Sequence, residues 1–262
     1  SDRKDTKKAK KQTFGNRYES PQRFALEIKL GPYLPNVDGR YDGPREFGPY
    51  AKIFGNTDAR GITIEDPSQG LMAALAFEWQ FLNPGQLGPL ALGFQFSFFT
   101  DSARAMFSSY ANADNPDDVP EDVDDVRSDA DSVRFTSFPL ALQLVYRLEY
   151  FADRFRVPLV PYAKAGLGYA FWYSKGGDGS ISVNSADQKA RGGVWGFQIN
   201  AGGMLRLDFL ERGSARTLDR ATGINHTYIF GEYQFSQLDN FGRPSAISLG
   251  DSTFFVGLAL EF

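Results

Sequence analysis

Glu27 and Lys29 stand two residues apart in FALEIKL (24–30), interleaved with Phe24, Leu26, Ile28 and Leu30. In an extended chain such a pair shares one face, opposite the apolar set. The same placement recurs at Glu78, Arg147, Glu149, Lys164, Arg206, Asp208, Glu232 and Glu261, each on the face opposite Leu, Phe, Ile, Trp and Tyr. Acids and bases that converge in an enclosed space can pair, relay protons or pass a cation. An unpaired buried charge costs several kcal/mol, so these groups are expected to pair with one another. The plain reading is a salt-bridge network that fills a lumen. The functional reading is a narrow ion path, or a gate that opens by exchanging partners.

Three further constellations bear on chemistry. His226 is the sole histidine. Nucleophilic catalysis needs a serine within hydrogen-bond reach and an acid to orient the imidazole. The local run GINHTYIF offers Thr227 and no serine two residues on, so no catalytic residue is assigned. The stretch DNPDDVPEDVDDVRSDAD (114–131) carries Asp117, Asp118, Glu121, Asp122, Asp124 and Asp125. It reads as a solvated mobile loop, or as a weak divalent-cation or docking site for a basic partner. EF-hand spacing fails, because Val119 stands where the loop requires glycine, and no metal site is assigned. Val119, Val123 and Val126 have helical spacing. KAGLGYAF at Lys164 holds a Gly-x-Gly inside a strand pattern, where glycine relieves crowding rather than cradling a phosphate.

Composition narrows the class. The 262 residues include 24 Phe, 12 Tyr and 27 Gly, which favours strands and turns. There is no cysteine, hence no disulfide or thiolate metal site. No cofactor is indicated. A net charge of −4 argues against a nucleic-acid partner. No apolar run approaches the ~18 residues of a transmembrane helix. No secretory signal is visible at the start, which leaves a cytosolic or an already processed chain. Residues 1–22 include RKDTKKAKK and read as a flexible basic tail, a spacer or a contact for an acidic partner or anionic head groups.

Eight segments alternate, VPYAKAGLGYAFWY less cleanly than the rest. Besides FALEIKL they are GLMAALAFEWQF, LALGFQFSFF, FPLALQLVYRLEY, VPYAKAGLGYAFWY, VWGFQINAGGMLRL, TYIFGEYQF and FFVGLALEF. Period-two alternation means strands with two different environments. Turn-like connections at 83–89 and 151–158 take turns with long ones at about 34–69, 101–132, 174–192 and 236–250. The second face decides between a soluble and a membrane barrel. It is mostly Ala, Gly and Gln with isolated charges, which suits the cramped interior of an eight-stranded barrel. The first face suits lipid, with aromatics near strand ends (Trp79, Phe81, Tyr146, Tyr150, Phe171, Tyr173) as in interfacial girdles.

The closing residues Phe254, Val256, Leu258, Leu260 and Phe262 resemble the carboxy-terminal assembly signal of bacterial outer-membrane barrels. LDFLERGSARTLDRATGINHTYIFGEY (207–233) and FALEIKLGPYLPNVD (24–38) resemble a family of uncharacterised outer-membrane barrels from myxobacteria and their relatives, small single-chain barrels of the OmpA/OmpX kind. The likeness spans about residues 23–262 and transfers no catalytic role. It implies a bacterial outer-membrane location. The implied partners are the lipid bilayer, lipopolysaccharide and the barrel assembly machinery during insertion.

The expected architecture is all-β: an eight-stranded antiparallel up-and-down transmembrane β-barrel over 23–262, following the 1–22 tail. Ten strands arise if GPYAKIFG and GITIED pair as a hairpin beyond the membrane. The leading function is a filled-lumen anchor presenting long extracellular loops for envelope integrity, adhesion or docking of a periplasmic or extracellular protein. A narrow channel or small-ligand conduit is the alternative, and a lipid-modifying enzyme a third.

Overall fold

The computed structural model describes residues 23–40, 48–57, 63–65, 67–82, 88–111, 118–120, 122–150, 158–183, 187–207, 224, 226–244 and 246–262. The basic tail and Asp208 lie outside them. The strands are β1 (Phe24–Tyr33), β2 (Asn56–Thr57), β3 (Thr63–Glu65), β4 (Gly70–Leu82), β5 (Leu90–Met106), β6 (Arg127–Arg147), β7 (Leu159–Lys175), β8 (Arg191–Arg206), β9 (His226–Leu238) and β10 (Asp251–Glu261). Among the described residues the short α-helices are α1 (Pro49–Phe54), α2 (Ser108–Ala111) and α3 (Val123–Val126), with a 3-10 turn at Asp38–Arg40.

Eight strands close into one barrel in the order β1-β10-β9-β8-β7-β6-β5-β4, every neighbouring pair antiparallel. The seam joins the first strand to the last, with Ala25 opposite Glu261 and Leu30 opposite Val256. The backbone bonds Phe262 N–H to Phe24 O (2.9 Å) and Phe24 N–H to Phe262 O (2.9 Å) finish it. Closure leaves no barrel strand with an unpaired edge, as a hydrocarbon environment requires. The connections β4–β5 and β6–β7 lie at the end where residues 23 and 262 meet, the terminal end. The connections β1–β4, β5–β6, β7–β8 and β9–β10 lie at the loop end.

Alternation inverts the usual inside and outside. Leu71 (66 %), Phe254 (67 %) and Trp195 (53 %) are exposed on the outer wall, while Glu27 and Lys29 are fully buried. All eight barrel strands contribute to the apolar belt, for example Ile28, Phe77, Phe94, Leu144, Leu167, Ile199, Ile229 and Val256. A belt of this extent far exceeds the apolar patches of soluble monomers. Rings gather at both rims. Phe24 with Phe262 (6.1 Å) and Trp79 with Phe81 (6.0 Å) mark the terminal end; Tyr169 with Trp195 (4.7 Å) and Tyr233 with Phe254 (5.0 Å) lie towards the loop end. An apolar band with aromatic girdles, a polar interior and long loops at one end is the construction of a bacterial outer-membrane barrel.

Two segments depart from the sequence expectation. GPYAKIFG forms α1 rather than a strand. Pro49 opens the helix, where its missing N–H is no loss. Among the described residues of this stretch, Asn56–Thr57 and Thr63–Glu65 pair, as a separate two-stranded sheet that does not enter the barrel. The expected long loop at 101–132 is largely strand and helix. β5 runs to Met106 and β6 begins at Arg127, so the 21-residue β6 is about twice the length a tilted strand needs to cross the bilayer. Within the acidic stretch, Val119 and Val126 are buried against Met106 and Tyr110, while Asp118, Asp122 and Asp125 are exposed.

Candidate functional site: a three-layered lumen

The lumen is filled in three layers, and the register of the strands sets each one. Nearest the terminal end lies the charged layer. Lys29 on β1 pairs with Glu232 on β9 and donates to Gln95 Oε1 at 2.8 Å. Lys164 on β7 pairs with Glu27 Oε2 (2.5 Å) and Glu78 Oε1 (2.9 Å). Arg147 on β6 pairs with Glu78, and approaches Glu27 at 3.4 Å and Glu261 at 3.5 Å. Tyr162 OH donates to Glu232 Oε2 (2.8 Å), and Tyr228 OH to Glu261 Oε2 (2.9 Å). Gln80 also donates to Glu261.

Of the charges the sequence placed inward, Glu27, Lys29, Glu78, Arg147, Lys164, Glu232 and Glu261 come together in this one network, all buried. Glu149 is buried but lies just past the end of β6. Arg206 is half-buried at the end of β8, its guanidinium 5.8 Å from the Tyr228 ring centroid. It sits at the border of the network because the alternation is ending there.

Above the charges is a layer of amides. Gln95, Gln143, Gln198, Asn200 and Gln234 project from β5, β6, β8 and β9. Gln198 Nε2 donates to Gln234 Oε1 (3.0 Å) and Asn200 Oδ1 (3.1 Å), and Gln143 Nε2 to Asn200 Oδ1 (2.8 Å). Asn200 Nδ2 reaches Glu232 Oε1 at 2.9 Å and so ties the two layers. Primary amides both donate and accept, which lets a closed ring of them satisfy itself without water.

Towards the loop end the interior turns apolar, against the expectation of small residues and charges throughout. Tyr33, Met72, Phe99, Phe135, Ala170, Val194, Leu238 and Phe255 form one buried cluster with Tyr50 and Leu249. Each barrel strand gives one of the first eight. Tyr33 OH donates to Leu249 O (2.7 Å), and its ring meets Phe99 edge-on at 4.7 Å. Alternation within FFVGLALEF and VPYAKAGLGYAFWY puts Phe255 and Ala170 opposite the lipid-facing set; the signal missed is that the inner-face residues beyond the amides are apolar, most of them bulky.

Over this stopper lies α1, held at both ends. Asp38 accepts from Tyr50 N–H (2.8 Å) and Ala51 N–H (2.6 Å), satisfying donors that a helix start leaves free. Arg127 donates to Lys52 O (2.7 Å) and Ile53 O (3.0 Å) at the other end. Burial, and then the nearby Arg104 charge, lower the affinity of Arg127 for its proton. Tyr50 OH donates to Asp101 Oδ2 at 2.8 Å. Beneath α1 is a cavity of about 600 Å³.

The other sequence candidates lie apart. His226 begins β9 at the terminal end, in register with Glu261, its ring 6.2 Å from Tyr228. Asp118, Asp122 and Asp125 are exposed at the loop end. Asp117, Glu121 and the side chain of Asp124 lie outside the described residues, among which no group of three potential metal ligands occurs. Phe254, Val256, Leu258 and Phe262 face outward on or beside β10 and Leu260 is half-buried.

No protein-family model matches the chain, and no curated protein matches it. Solved structures similar to it include Neisserial surface protein A, 7 % identical, covering 93 % of this chain and 98 % of that one with a TM-score of 0.45. OprG from Pseudomonas aeruginosa is 11 % identical over 93 % and 97 %, with a TM-score of 0.47. A major outer membrane protein from Thermus thermophilus is 12 % identical over 93 % and 100 %, with a TM-score of 0.44.

Proposed function

We propose that this protein is a non-conducting outer-membrane anchor, without enzymatic activity, that displays a rigid platform at its extracellular end for docking another molecule. The observation that carries this reading is the filled lumen: paired charges, self-satisfied amides and an apolar stopper follow one another along the barrel axis. The rule that long loops of such barrels face outward places α1, α3 and the β5–β6 extension outside the cell. Exposed Asp118, Asp122 and Asp125 give that platform an acidic edge suited to a basic partner. Phe254 to Phe262 serve in this reading as the signal recognised by the barrel assembly machinery, and the exterior contacts lipid and lipopolysaccharide. The likeness of residues 23–262 to the myxobacterial barrels belongs to the same proposal.

Two measurements test it. Reconstituted protein in planar bilayers should show no steady conductance; a stable open level would end the non-conducting reading. Immobilised protein should retain a partner from whole envelopes or a target surface, and release it as salt rises, because exposed charge pairs are screened. Retention indifferent to salt and to Asp→Asn changes at 118, 122 and 125 would remove the acidic edge from the account.

A further inference from the structure

The cavity beneath α1 is unlike the rest of the interior. At about 600 Å³ it falls within the size range of pockets that enclose small organic ligands. Its walls are chiefly apolar, with Phe54, Phe135, Trp172 and Ile247 among them. Its polar side chains, apart from the hydroxyls of Tyr50, Ser174 and Ser182, are Lys52, Arg104 and Arg127, and no carboxylate lines it among the described residues. Tyr50 is already committed to Asp101, and Arg104 pairs with Asp129 at 2.5 Å. Trp172 contributes a second kind of evidence. Its indole Nε1 is buried and has no hydrogen-bond partner among the described residues. A buried donor without an acceptor is costly, and a native structure seldom leaves one without reason.

We infer that this cavity binds a single-chain amphiphile bearing an anionic or hydrogen-bond-accepting head, of the class of a medium-chain carboxylate. The apolar walls take the chain. The donor-rich edge takes the head, with Trp172 Nε1 and Lys52 as the groups that distinguish a carboxylate from a plain hydrocarbon. Asp38 and Arg127 hold α1 over the chain at its two ends. The site is independent of whether the platform docks a protein, so either reading can fail alone.

The experiment uses the full chain in phosphatidylcholine nanodiscs, with Trp79→Phe and Trp195→Phe leaving Trp172 as the sole tryptophan of the three. Brominated dodecanoate is titrated while Trp172 fluorescence is followed. The expected result is quenching that saturates, competes with unbrominated dodecanoate, and is weaker with the neutral dodecanol. Ala190→Phe, which fills the cavity from its wall, should raise the half-saturating concentration by about tenfold or more, a loss of ~1.4 kcal/mol of binding. Ser182→Leu is the second filling variant if the first does not fold, folding being read from heat-modifiable gel mobility. Quenching that rises linearly without saturation, or that is unchanged by the filling variants, overturns the inference. So does equal quenching by nanodiscs of brominated phospholipid alone, which would give the space to a bilayer acyl chain.

Discussion

Asp38 and Arg127 grip opposite ends of the same six-residue helix: the carboxylate takes the N–H groups of Tyr50 and Ala51, and the guanidinium takes the carbonyls of Lys52 and Ile53. A helix this short has little stability of its own, because nucleation is costly and few hydrogen bonds follow. Its position is therefore set by those two side chains together with the Tyr50–Phe135 ring contact at 5.7 Å.

Asp38→Ala should loosen α1 without opening the barrel. Loss of a helix-start acceptor costs about 0.5–2 kcal/mol. Amide hydrogen exchange across 50–54 should accelerate by the corresponding factor, while exchange in β7 and β8 stays as it was. Uniform acceleration along the chain would show that the helix is part of the barrel's cooperative unit.

Arg147→Met should destabilise the whole barrel. It removes one of the two cations that hold Glu27 and Glu78 and the cation that faces Glu261, and breaking a buried pair costs about 3–5 kcal/mol. Urea unfolding in lipid should show the loss. Glu27 and Glu78 keep Lys164, so adding Glu261→Gln should recover part of the loss, since the carboxylate that, among the described residues, pairs with Arg147 alone is then gone. An additive or larger loss in the double variant would contradict the network as described.

Gly168→Val tests the fit between lumen layers. A Cβ at this inward position would come within 2.6 Å of Leu238 Cδ2, inside any normal contact. Overpacking of this kind costs about 1–3 kcal/mol. Leu238→Ala in the same chain should relieve it, and the unfolding midpoint of the pair is the measurement.

Alkali should release α1 before it harms the barrel. Burial, reinforced by the hydrogen bond to Asp101 and its charge, pushes the Tyr50 hydroxyl well above its ordinary 10.0. A group whose ionisation is raised in the docked state favours docking fully below its free value. That contribution falls away as pH climbs above 10.0. Trp172 fluorescence, reporting on the cavity wall, should therefore change above that pH, and Tyr50→Phe should abolish the change.

The strands were legible because lipid and lumen demand different residues on alternate positions. Ile28, Leu75, Phe96 and Val256 declare the outer wall as plainly as Lys29, Gln95 and Glu261 declare the inner one. That signal fades where both faces meet similar surroundings. Beyond Phe99 the run TDSARAM has no apolar alternation, so the extension of β5 was invisible although its pairing with β6 continues to Arg127. The position of α1 was hidden for another reason. Pro49 marks a helix start, but the acid that holds it is Asp38 and the base is Arg127, both remote in sequence. The stopper was hidden because Phe99 and Phe255 are the same residue type as Phe98 and Phe254, which face outward one position away on the same strands.

Eight strands each lend one residue to that stopper, and this shapes how the molecule matures. Until the seam between β1 and β10 zips, the apolar ring is incomplete and water has a way into the core. Pairing of β1 with β10 therefore completes the wall and the ring together, because Tyr33 and Phe255 stand on the two strands that meet there.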